Sequence, residues 1–114
     1  MPREIKESDW KLLRQLHPIA LERFSKRILS EIGSINADGA KSFHQRYLDI
    51  FKVVECRDRE MSQLFNDLRR SNALFQIAII QSSGLLTEEE FSRFSKETHS
   101  FVEVLLKGRH DDGE

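Results

Sequence analysis

One cysteine, two prolines and five glycines are all that a chain of 114 residues holds of these types. A lone Cys56 closes no internal disulfide, which fits a reducing compartment, so a cytoplasmic protein is expected. So few prolines and glycines leave room for long helices. Charge of one sign is missing too: the formal net charge is −1. Without a basic excess the chain has no electrostatic footprint for nucleic acid or anionic lipid, and neither is expected as a partner. No long apolar run exists. The longest, Ile77 to Ile80, is far short of the roughly 20 residues that span a bilayer. The N-terminal stretch MPREIKESDW has no apolar segment of the kind a secretory signal needs.

Chemical motifs are absent as well. Neither glycine-rich phosphate loop occurs, and there is no His-Glu-x-x-His. Arg14, Lys41, Lys96 and Lys107 stand three residues before the four histidines, where a di-metal bundle would need glutamate. No cysteine pair offers a zinc site. No cofactor or metal is expected, and a non-enzymatic role leads.

What the chain does contain is helical periodicity. Hydrophobic residues make up 39% and charged residues 32%, a globular composition of a size that suits a single domain over 1–114. Residues 1–7 and 108–114 are polar and expected to be flexible. The segment Ser71–Leu86 is apolar nearly all the way round, which marks a helix covered on several sides. Ser71 is its expected N-cap and Gly84 its left-handed C-cap. Earlier in the chain, Trp10, Leu13, Ala20, Leu21, Phe24, Ile28 and Ile32 share one face of a helix that Ser8 and Asp9 can cap. Pro18 either kinks this helix or opens a second one at its first position. The continuous apolar face favours one kinked helix over 9–33, ended by Gly33.

Ser34–Gly39 reads as a tight connection to a long second helix carrying Phe43, Tyr47, Ile50, Phe51, Val54, Met61, Phe65 and Leu68 on one stripe. The stripe stays in phase across Cys56–Glu60, which argues helix there despite a loop-like composition. Thr87 and Glu90 form a capping box for a short helix over 87–94. Ser95 can cap a last helix that runs to Lys107 and stops at Gly108. No stretch alternates with period two. The expected fold is all-α, a compact bundle of four or five helices around the central apolar helix, with the aromatic residues filling its core.

Two polar residues fall inside apolar stripes. His17 lies roughly 20° from Phe24 on the helical wheel, and Asp58 roughly 20° from Tyr47. A hairpin pivoting near Asn36 brings residue 17 level with about residue 55, which allows a His17–Asp58 contact. The same count sets Glu31 within a turn of His44. The plain expectation is buried pairs, satisfied by one another or by Arg23, Arg27, Arg57 or Arg70. The sharper one is a small-ligand pocket built by His17, Tyr47 and Asp58. Cys56 falls on the polar side as an ordinary thiol. Leu12, Ile19 and Leu29 lie outside the main stripe of the first helix and form a candidate interface. The leading functional expectation is a small interaction or adaptor module that self-associates as a homodimer. A ligand-binding module using the His17/Asp58 region is the alternative.

Overall fold

The computed structural model describes residues 4–111, with side chains as far as residue 108. Among the described residues there is no strand. The chain runs through α1 (Glu7–Asn36), α2 (Phe43–Phe65), a 3-10 turn (Arg70–Asn72), α3 (Ala73–Ser82), α4 (Glu88–Ser92) and α5 (Lys96–Asp111). The class is all-α, with five helices among the described residues. None of them is long and apolar enough to cross a membrane. Two compact units emerge: Met1–Ala20 with Asp67–Glu114, as far as they are described, and Leu21–Asn66.

The first unit is built on α3. Ala73, Ile77 and Ala78 are fully buried, and Ile80 retains 1% exposure. A helix of such composition has no polar face to give to water, so neighbours must cover it. α5 packs against it. Leu13, Leu16 and Ala20 of α1 are buried in the same unit, with Leu85, Leu86, Phe94 and Val102. The cap expected at Ser71 is displaced. Ser71 sits in the 3-10 turn and Asn72 precedes α3. The Asn72 amide folds back instead, accepting from the Arg69 N–H and donating to the Asp67 carbonyl. Gly84 does adopt the left-handed conformation, with φ 71°, where a Cβ would be strained. The Thr87–Glu90 capping box forms in both directions, the Glu90 N–H donating to Thr87 Oγ1 and the Thr87 N–H to Glu90 Oε1.

Residues 1–3 and 112–114 lie outside the described residues. Ile5, however, is buried, and α1 already begins at Glu7. α5 passes through Gly108 to Asp111. Glycine lowers helix propensity by about 1 kcal/mol against alanine, a cost rather than a stop.

The second unit is a helical hairpin: the later part of α1, a connection over 37–42, and α2. α1 is one helix through Pro18 and past Gly33 to Asn36. α2 starts at Phe43, not near Gly39, because Ser42 is its cap and its Oγ accepts from the Gln45 N–H at 3.0 Å. Cys56–Glu60 is helical, as the phase of the stripe predicts. These boundaries change the pairing. With Asn36 as pivot, Glu31 would lie opposite residue 41. It meets Arg57 instead, and the ring of Phe24 lies 5.9 Å from that of Phe65. Moving the pivot from Asn36 to the middle of the 37–42 connection shifts each pairing by about seven residues along α2, and the observed partners lie about nine residues further still.

The core is divided unequally. In the second unit only Phe24, Leu64 and Phe65 are buried hydrophobic residues among those described. The aromatics do not all fill the interior: Phe43, Tyr47, Phe51 and Phe75 are exposed.

Candidate protein-interaction face

α2 shows two faces. One carries Ile50, Val53, Arg57, Met61 and the buried Leu64, all at least partly covered. Arg57 sits on this face and bonds Glu31 across the hairpin at 3.0 and 3.3 Å. The hydrogen bond from Arg57 holds the Glu31 carboxyl below its ordinary pKa, and Glu31 in turn raises that of Arg57. The other face adjoins it, with a mean direction roughly 75° round the helix at 100° per residue, and its last member, Phe65, is buried beside Phe24. It carries Phe43 at 83% exposure, Tyr47 at 61%, Phe51 at 52% and Val54 at 46%. Leu48 is exposed beside it, and Leu29 of α1 is exposed in the same unit.

Local bonds hold this open face in shape. The Arg46 guanidinium lies 4.5 Å from the Phe43 ring centroid and donates to the Asn36 carbonyl at 2.8 Å, closing the end of the hairpin. His44 stacks on Tyr47, with centroids 6.2 Å apart. Asp49 accepts from Lys41 and Gln45, each at 2.8 Å. The hydrogen bond from Lys41, and then that from Gln45, lower the Asp49 pKa, while Asp49 raises that of Lys41. The stripe is apolar at its centre, and charges of both signs follow along the helix.

The residues singled out from sequence fall in different units of the chain. His17 is half-buried on α1 in the first unit, whereas Tyr47 and Asp58 belong to the second. Asp58 is exposed, not buried in the stripe, and Tyr47 is open to solvent above it. On one helix Tyr47 and Asp58 stand eleven residues apart, about 16 Å along the axis, and share a face. Leu12 is half-buried, and Ile19 is 43% exposed, both in the first unit; Leu29, at 68%, is in the second. The larger apolar surface is the one on α2 that periodicity assigns to a core. Cys56 is exposed.

Sequence reading missed the polar centre of the first unit. Asp9 is 2% exposed. Its carboxylate accepts from the Ser95 N–H at 3.0 Å, the Ser95 hydroxyl at 2.5 Å and the Thr98 hydroxyl at 2.7 Å. Ser95 Oγ also accepts from the Thr98 N–H at 3.4 Å. Ser95 therefore caps α5, as its position predicts, and Asp9 holds that cap in place from 86 residues away in sequence. The available signal was its phase: Asp9 stands four, seven and eleven residues before Leu13, Leu16 and Ala20, on their buried face.

A cleft of about 410 Å³ opens in this unit over Leu74, between Lys6, Lys96, Glu97 and Thr98. Three of its polar groups are engaged with protein partners. Lys6 pairs with Glu97 at 3.0 Å, lowering the Glu97 pKa, and the Thr98 hydroxyl is given to Asp9. No protein-family model matches this chain, and no curated protein or solved structure is significantly similar to it.

Proposed function

We propose that this protein is a non-enzymatic interaction module that self-associates through the second unit. The observation that carries this reading is the open stripe Phe43, Tyr47, Phe51 and Val54 on a helix whose other apolar face is already used. Aromatic side chains bury 150–250 Å² each, so the four exposed portions amount to roughly 450 Å² of apolar surface. The largest apolar patch on a soluble monomer is commonly of about that size and is often its functional surface. Two copies meeting there would cover roughly 900 Å², close to the ~1,000 Å² a specific interface needs before its polar rim is added.

Sedimentation equilibrium tests this directly. The wild-type chain is expected to give a dimer mass in the micromolar range. Phe51→Glu places one carboxylate from each copy in the seam and is expected to weaken association roughly a hundred-fold or more. Ile19→Asp, in the other unit, should leave the mass unchanged. A wild-type chain that stays monomeric at high micromolar concentration defeats the reading.

A further inference from the structure

We infer that the occupant of the open α2 face is α2 of a second copy, laid antiparallel across a two-fold axis near Ile50 and Phe51. This rests on the self-association proposed above and specifies its geometry. The first argument is position along the helix. α2 meets α1 through Arg57 and Phe65, in its C-terminal half. The stripe from Phe43 to Val54 precedes those contacts and stays exposed. A two-fold partner covers such a stretch with the same surface patch.

The second argument is charge. Asp58 interrupts the stripe and is exposed, and Glu55 lies beside it, also exposed. A parallel pairing sets Asp58 against Asp58 of the other copy, like charges close to the seam. An antiparallel pairing that overlays the open stretch 43–58 on itself matches residues whose numbers sum to about 101. Tyr47 then meets Val54, Ile50 meets Phe51, and Asp58 meets the Phe43–His44 turn. His44 is exposed and stacked on Tyr47, and it projects on the same side of the stripe as Glu55 and Asp58. The imidazole of one copy thereby reaches the carboxylates of the other. The residue that looks misplaced in an apolar stripe acquires a partner, and the direction of pairing follows from it.

Cysteine cross-linking reads that direction. In a Cys56→Ser background, the single variants H44C and D58C and the double variant H44C/D58C are oxidised at a concentration where the wild-type mass has been measured. Both substituted positions are exposed on α2, and circular dichroism confirms retained helix. Within one chain the two sulfurs are about 21 Å apart along the helix and cannot join. The antiparallel seam predicts a covalent dimer from the double variant and little from either single one. Cross-linking of D58C alone means parallel pairing and overturns the inference while self-association stands. A dimer mass with no cross-link in any variant places the seam off α2 and also overturns it. A monomeric wild-type chain instead removes the functional reading on which the inference rests.

Discussion

Asp9 shows how one side chain can join two distant segments. A carboxylate with 2% exposure needs its lone pairs satisfied, and three donors from Ser95 and Thr98 do so. Asp9→Ala strands those donors, among them the N–H that precedes α5. Lost caps and unsatisfied buried groups cost 1–3 kcal/mol each, with some relaxation, so a loss of about 2–4 kcal/mol is expected. Urea unfolding followed by circular dichroism measures it. A change below about 0.5 kcal/mol, the range of ordinary surface substitutions, would show that α5 is held without this bond set. The Ser95 cap of α5 was legible because capping patterns are local, whereas Asp9, read beside Ser8 as a cap for α1, supports that cap from 86 residues away, which no local pattern shows.

Helix existence was legible, and helix ends were less so. α2 continues through Cys56–Glu60 and α4 starts with its Thr87–Glu90 box because phase and capping are local properties. Gly33 and Gly108 lie inside helices because glycine ends a helix only when the next conformation is left-handed, as at Gly84. Pro18 belongs to the same class of local penalties. It is exposed within a helix that runs uninterrupted from Glu7 to Asn36. Its ring removes the N–H that would bond the Arg14 carbonyl and crowds that turn, costs that reach about 3 kcal/mol in a helix interior. Pro18→Ala restores the bond on a solvent-facing position, so stability should rise by about 1–3 kcal/mol. A higher urea midpoint at an unchanged slope is the expected readout. A lower midpoint would mean that the proline ring packs against something essential.

At the scale of the whole molecule, periodicity reports that a face is apolar but not what covers it. The α2 stripe and the Leu13–Ala20 stripe read alike in sequence. The first stays open from Phe43 to Val54, while the second is buried. The His17–Asp58 pairing drew on the same inference, that a polar residue in phase with a stripe must be interior, and Asp58 is exposed. What distinguishes the two stripes is the number of helices each unit supplies: α3, α4 and α5 accompany the first part of α1, whereas α2 has only the later part. A hairpin that completes its core with a second copy couples folding to association, so its thermal midpoint must rise with protein concentration. The wild-type midpoint is expected to climb over a hundred-fold concentration series, and that of Phe51→Glu to stay flat. Phe51 is half exposed in the single chain, so the substitution removes little intramolecular packing. The two curves should converge at the dilute end and separate at the concentrated one. Parallel curves with a constant offset would instead assign Phe51 to the stability of the single chain and take the stripe out of the interface.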